Sequence, residues 1–216
     1  MDIDELLKRY PYPDRTPWLR ANMIATLDGG IQYKGDTGAI GYAGDHALMA
    51  ALRSLADIVV MGAATVREYD SWPDEAPPLA VVSRSLDLDF DGGVFDGGRT
   101  IVVTCAAAPE DRLKRAAERA DVLLTGETFA DIGPALDELA GRGHQRMLCE
   151  GGPRLLAQVA AAGWLHELCL TLSPMVTAGD ATRVMNGPVL ETPQRMRLVH
   201  AIPDGDYLFT RYVVEP

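Results

Sequence analysis

The run Cys149-Glu150-Gly151-Gly152-Pro153-Arg154-Leu155 closes an apolar stretch with a carboxylate, two glycines and a helix-starting proline. Amides at the start of a helix point outward without intrahelical partners, and glycine lets a ligand come close to them. That is the chemistry of an anion cradle, suited to a pyrophosphate at the carboxyl edge of a sheet. A plain strand–turn–helix corner fits the same letters. A second corner, Met61-Gly62-Ala63-Ala64-Thr65-Val66-Arg67, follows a Val-rich run and again has small residues where close approach matters. A third, Val82-Ser83-Arg84-Ser85, offers hydroxyls and a guanidinium of the kind a ribose 2′-phosphate requires. A single loop arginine is more often only solvated, but three such corners at strand ends together point to a dinucleotide site. The turn is not the usual Rossmann one: Gly35, Gly38 and Gly41 have the wrong spacing for GxGxxG and no strand directly before them. A fourth segment, Thr26-Leu27-Asp28-Gly29, sets a hydroxyl and a carboxylate at a strand end, although a tight turn selects the same Asp-Gly pair.

Other chemistries fail on spacing. Asp87-Leu88-Asp89-Phe90-Asp91-Gly92 opens like a calcium loop, but its twelfth position is Gly98, where a bidentate Glu is needed. It reads as a solvated acidic loop, and no metal is expected. His46, His144, His166 and His200 show no ligand spacing, and no GxSxG nucleophile turn occurs. Cys105, Cys149 and Cys169 are far apart within apolar runs, which predicts buried reduced thiols. The chain has 216 residues, with 20 Lys plus Arg against 31 Asp plus Glu, a formal charge of −11. That balance argues against nucleic acid and against an anionic membrane surface. No apolar run approaches the ~18 residues of a membrane span. The acidic opening Met1-Asp2-Ile3-Asp4-Glu5 lacks the order of a secretion signal, so a soluble cytoplasmic protein is expected.

The elements that must carry these corners are legible. Apolar runs at 18–25, 57–61, 79–83, 100–104, 121–124, 146–149 and 166–173 predict strands. Several are continuous Val/Ile/Leu runs, as in a parallel sheet covered on both faces. Between them, 46–55, 109–119, 134–140 and 153–162 predict helices. The first has Ala47, Leu48, Ala51, Leu52 and Leu55 on one stripe; the last is framed by Pro153 and Gly163. The tail 194–214 predicts a hairpin around Pro203-Asp204-Gly205-Asp206. The expectation is an α/β fold with a mostly parallel central sheet, flanking helices and an antiparallel C-terminal hairpin. Residues 1–17 read as a surface arm and 18–216 as a single domain.

Several of these segments resemble the pyrimidine reductase family of riboflavin biosynthesis. Ala25-Thr26-Leu27-Asp28-Gly29 is similar to its A-x-S-L-D-G opening. Leu52-Arg53-Ser54-Leu55-Ala56-Asp57 through Thr65-Val66-Arg67 is similar to its L-R-x-x-A-D…G-x-x-T-V-R segment. Glu150-Gly151-Gly152-Pro153-x-Leu155-Leu156 resembles its E-G-G-x-x-L-L cofactor turn, and Trp164-Leu165-x-Glu167-Leu168 through Ser173-Pro174 its D-E-L…P strand. The matches run in order from about 19 to 213. The Trp18-Leu19-Arg20-Ala21-Asn22 opening resembles an actinobacterial branch, without the deaminase domain often fused in front.

The resemblance implies a dihydrofolate-reductase-like fold. It implies NADPH-dependent reduction of 5-amino-6-(5-phosphoribosylamino)uracil, with hydride passing to the ribose carbon in its open, imine form. Dihydrofolate or another pterin or pyrimidine is the alternative substrate; an NADP(H)-binding protein without efficient turnover is the alternative of another class. Ala25, Ala39, Thr65 and Ser83 would line the cofactor, with Gly62, Val66 and Arg84 in the same corners. Gly151, Gly152, Pro153, Arg154 and Leu155 would hold the pyrophosphate. Thr37, Arg53, Asp70 and Glu150 would face the substrate, Asp28 would lie at the same cleft, and Asp70 or Glu150 would assist protonation. A homodimer is implied, with the apolar 166–175 strand as contact. One departure stands out. After Thr-Val the family reads x-x-D-D-P-x-L-T-x-R, whereas here Arg67-Glu68-Tyr69-Asp70-Ser71-Trp72-Pro73-Asp74-Glu75 keeps one Asp and loses the phosphate-binding stretch. Gly30 also replaces the usual Lys after Asp-Gly.

Overall fold

The computed structural model describes residues 3–215; Met1 and Asp2 of the acidic opening, and Pro216, lie outside them. Among the described residues, the strands are β1 (Trp18–Thr26), β2 (Ile58–Gly62), β3 (Leu79–Val82), β4 (Thr100–Thr104), β5 (Asp121–Leu124), β6 (Arg146–Cys149), β7 (Glu167–Ser173), β8 (Met196–Asp204) and β9 (Tyr207–Val214). The helices are α1 (Ile3–Leu7), α2 (Ala43–Ser54), α3 (Ala63–Val66), α4 (Glu110–Arg119), α5 (Ile132–Gly141) and α6 (Pro153–Ala161). The strands form one sheet in the order β5-β4-β3-β2-β6-β1-β7-β9-β8. The first seven are mutually parallel, and β9 runs antiparallel to β7 and β8. The predicted α/β class with its C-terminal hairpin is thus what the chain adopts.

The two-sided burial explains the continuous apolar runs. Along β2, Val59 and Met61 pack with Leu48 and Leu52 of α2, while Ile58 and Val60 pack with Leu136 of α5 and Leu156 of α6. Each residue of such a strand meets a helix layer, so no position is left for a polar alternate. The acidic loop is not merely solvated. Arg112, Arg115 and Arg119 share one face of α4 and pair with Asp87, Asp91 and Asp96. These exposed pairs contribute little singly but neutralise the loop.

The arm read as surface is instead docked. Leu6 and Tyr10 are buried, Tyr10 completely. The reason lies in two arginines inside the sheet. Glu167 accepts from Arg20 Nε at 2.6 Å and from Arg211 Nε at 2.8 Å. Arg20 also donates to the carbonyl of Tyr10 (2.9 Å), and Arg211 to those of Arg9 (2.8 Å) and Pro11 (3.0 Å). Two buried cations around one carboxylate need further acceptors, and the arm's backbone supplies them. Burial would raise the Glu167 carboxyl, but the two guanidiniums outweigh it and hold it below the ordinary range. Its folded value therefore lies under its unfolded value: the stabilisation is full above the unfolded value and lost as pH falls through the folded one. Glu167→Gln strips the charge from between two buried arginines. It is expected to lower stability by about 3–5 kcal/mol, read from the urea midpoint, and to flatten the acid limb of the stability profile.

Candidate active site

A cleft of about 400 Å³ opens where the strand order reverses. The chain leaves β1 for β2, runs outward to β5, and returns to insert β6 between them. In open α/β sheets such a reversal leaves a crevice at the carboxyl ends of the strands. Here β6 ends in the Gly-Gly turn. The Gly62 amide at the end of β2 donates to the Gly151 carbonyl at 2.8 Å, which seals the two strand ends together. Gly151 has φ +79°, a left-handed backbone that favours glycine, and the Gly151–Gly152 peptide is cis. A Cβ on Gly151 would sit 2.9 Å from Met23 Sδ, and one on Gly152 3.2 Å from Thr65 Oγ1. Gly151 is thus held to glycine by its backbone angle and by Met23, whereas a side chain at Gly152 would need Thr65 to give by a few tenths of an ångström. Gly152 accepts the first α6 bond, from the Leu156 amide at 3.0 Å, and no side chain caps the helix. The amides of Arg154 and Leu155 are left facing outward.

Glu150, directly after β6, lines the cleft but is locked. It accepts from Arg53 Nε at 2.8 Å and Arg53 Nη2 at 2.6 Å. The same Nη2 donates to Tyr69 Oη at 2.8 Å, and the guanidinium lies 4.5 Å from the Trp72 ring centre. Burial pushes the Glu150 carboxyl up, with Arg53 opposing. With both oxygens occupied by a fixed cation, Glu150 anchors the site and is badly placed to act as the proton donor expected from the resemblance.

Of the other expected residues, Thr37, Thr65, Gly152 and Pro153 line the cleft. Gly62 and Gly151 form the turn behind it. Asp70 is not brought there: it is exposed and lines a neighbouring cavity with Arg67 and Asp87, with Tyr69 shared between the two. Val66 points into the core and that second cavity, and Leu155 is a core residue. Ala25 is buried within β1, and Ala39 is exposed outside the cleft lining. The Ser83 hydroxyl is used by its own turn, accepting from the Leu86 amide at 3.0 Å. Arg84 and Arg154 are exposed, without ion pairs among the described residues. Asp28 is a fastener: it accepts from the Thr26 hydroxyl at 2.5 Å and from the amides of Thr177 and Ala178, tying the loop after β7 to the end of β1. The Thr26 hydroxyl and these amides hold its carboxyl below the usual range.

The sequence reading missed Asn22, Asp45, His46 and Tyr69, all of which line the cleft. A polar Asn inside the apolar β1 run was the available signal. Asp45 fell one residue before the predicted helix 46–55, so its place in the first turn was not seen.

The parallel sheet with its late-inserted β6 and antiparallel C-terminal strands is a dihydrofolate-reductase-like fold. Dihydrofolate reductase from Enterococcus faecalis, complexed with NADP(H), shares the fold with a TM-score of 0.55 at 13% identity, over 93% of this chain and 98% of that one. Residues 17–209 match the RibD C-terminal domain, and the chain belongs to that family. A pyrimidine reductase-like protein from Corynebacterium diphtheriae superposes with a TM-score of 0.84 at 25% identity, covering 93% of this chain and 92% of that one. The 2,5-diamino-6-ribosylamino-4(3H)-pyrimidinone 5′-phosphate reductase of Methanothermobacter thermautotrophicus is 25% identical over 213 residues, 92% of this chain and 99% of the relative. Among the described residues no helix is long and apolar enough to cross a membrane, and no cluster of His, Cys, Asp or Glu could hold a metal ion.

Removing either half of the Arg53–Glu150 pair leaves a buried charge. Arg53→Met and Glu150→Leu are each expected to lose about 3–5 kcal/mol in chemical denaturation. The double variant should lose clearly less than the two together, because no unpaired charge remains.

Proposed function

We propose that this chain is an NADPH-dependent reductase of a 6-ribosylaminopyrimidine 5′-phosphate, the substrate type that the resemblance gives as 5-amino-6-(5-phosphoribosylamino)uracil. The observation that carries the reading is the bare-backbone corner Gly151-Gly152, sealed to Gly62 and facing Thr65, beside a cleft of about 400 Å³ in a member of this family. The corner fits a pyrophosphate: the glycines keep side chains out, and uncapped α6 amides supply donors. Gly152, Thr65 and the amides of Arg154 and Leu155 would hold it, with exposed Arg84 at the end of β3 meeting a 2′-phosphate. NADPH bound there supplies a hydride. The chain's own part would be orientation: the Arg53–Glu150 pair forms a rigid wall, and Thr37 and Thr182 add hydroxyls to the lining.

A second reading is supported by the lining itself. Among the described residues no Lys or Arg lines the cleft, and the family's phosphate-binding stretch after Asp70 is missing. An NADP(H)-binding protein without efficient turnover would look the same. Loss of NADPH absorbance on adding substrate, against none, separates the two. Gly152→Asp sets a carboxylate and a Cβ against Thr65 and the pyrophosphate position. It is expected to abolish NADPH binding in a fluorescence titration while the circular dichroism spectrum is kept; retained affinity in a folded variant would remove the cofactor from this corner.

The homodimer implied by the resemblance is also proposed, with a change of surface. β7 lies between β1 and β9, so it has no free edge to offer. Its face away from α2 is only half covered: Leu168, Leu170 and Leu172 are half-buried and continue onto Leu208 and Tyr212 of β9. An apolar sheet face of this kind suits a second copy. Leu170→Arg is expected to shift the mass measured by light scattering from dimer to monomer.

A further inference from the structure

Resting on the reductase reading, we propose that Asp45, together with Asn22, recognises the pyrimidine ring through an exocyclic amino group and the adjacent ring N–H. The site thereby selects a 2-aminopyrimidin-4-one over a uracil. Asp45 sits in the first turn of α2, is 9% exposed and lines the cleft. Burial pushes its carboxyl above the ordinary range, and no Lys or Arg among the described residues pairs with it. The buried Thr171 hydroxyl facing it from β7 and the adjacent His46 both oppose that shift without cancelling it.

Asn22 is the independent observation. It is 8% exposed and lines the same cleft, and its amide oxygen is buried without a donor. Its neighbour Ala21 pairs with Cys149, which sets Asn22 alongside Glu150 on the cleft floor. A buried acceptor without a donor is destabilising unless a ligand brings one. Of the other acids, Glu150 is spent on Arg53, Asp28 on the loop after β7, and Asp70 lines the next cavity, while Glu68 lines the cleft from an exposed position where water competes for its oxygens. The floor therefore presents acceptors from two elements, and calls for a flat ring edge with donors.

A 2-amino group next to a ring N–H gives two parallel donors to one carboxylate, a charge-assisted bidentate pair. Uracil has a carbonyl where the amino group would be, and its lone pairs would face the Asp45 oxygens. Sites that leave such polar groups unpaired reject the wrong ligand strongly, by at least ~10²-fold.

The test compares kcat/KM with NADPH for 2,5-diamino-6-ribosylamino-4(3H)-pyrimidinone 5′-phosphate and for its 5-amino-uracil counterpart. The wild-type chain is expected to prefer the diamino compound by ~10²-fold or more. Asp45→Asn, whose amide offers a donor as well as an acceptor, should narrow or reverse that ratio with NADPH affinity unchanged by fluorescence titration. Calorimetry with the two ribitylamino products, which cannot be reduced further, should give the same order of affinities without turnover. Equal wild-type preference would overturn the proposal, as would Asp45→Asn lowering both substrates by one common factor, the mark of a proton donor. If neither substrate turns over, the reductase reading fails; recognition is then judged by product binding alone, where equal affinities overturn it.

Discussion

The bidentate contact between Arg53 and Glu150 is what the rest of the cleft leans on. Arg53 closes the last turn of α2, and Glu150 is the residue between β6 and the Gly-Gly turn. A planar guanidinium on a planar carboxylate fixes orientation as well as distance, so helix and turn are held as one body. The Trp72 ring beside the cation excludes water and adds a further attraction. Asp45 stands on the same helix, about 12 Å from Arg53 at ~1.5 Å per residue. Fixing one end of α2 thereby fixes the other. The far end has its own tie: Tyr42 donates to Asp204 at 2.6 Å and stacks on Tyr207, joining the hairpin to the start of α2.

Topology supplies what the ion pair then holds. Because β6 enters late, between β2 and β1, the turn that follows it lies against strand ends laid down much earlier in the chain. The Gly62-to-Gly151 bond is a direct product of that insertion. On the other side, Leu27 and Ile31 donate to the carbonyls of Met175 and Thr182, and Asp28 takes the amides of Thr177 and Ala178. A long loop is thus laid across the end of β1, and Thr182 is delivered to the cleft. The Thr-x-Asp-Gly segment looks like ligand chemistry in the sequence and is architecture in the fold.

The framework was largely legible because it is written in local periodicity. Runs such as Ile58-Val59-Val60-Met61 admit little but a strand covered on both faces, and Pro153 after two glycines marks a helix start. What stayed hidden depends on pairing across long separations. Nothing near Arg20 in the chain tells that Glu167 and Arg211 will meet it, so the arm whose carbonyls complete that cluster passes for surface. Asp70 and Glu150 look alike as letters; only the fold shows one exposed and the other clamped by Arg53. Asp45 was invisible for a smaller reason, a helix boundary misplaced by a few residues.

The acidity of the chain and of its cleft then takes on a meaning. The net charge is −11, and Asp45, Glu68 and Glu150 line the opening, with His46 the one group there among the described residues able to carry a positive charge. Long-range attraction of phosphorylated ligands is absent by construction, but at physiological salt such fields fade within ~8 Å. Binding must therefore be decided at contact. In the proposed reading, backbone amides at the start of α6 would serve an anion there, since they are already oriented and carry no counter-charge that needs separate solvation. A neutral ring rich in N–H groups has the opposite requirement and is served by carboxylate and amide oxygens. An acidic floor beside an amide-lined edge would thus suit a molecule whose two ends differ in this way, and a cleft made basic throughout would satisfy only one of them.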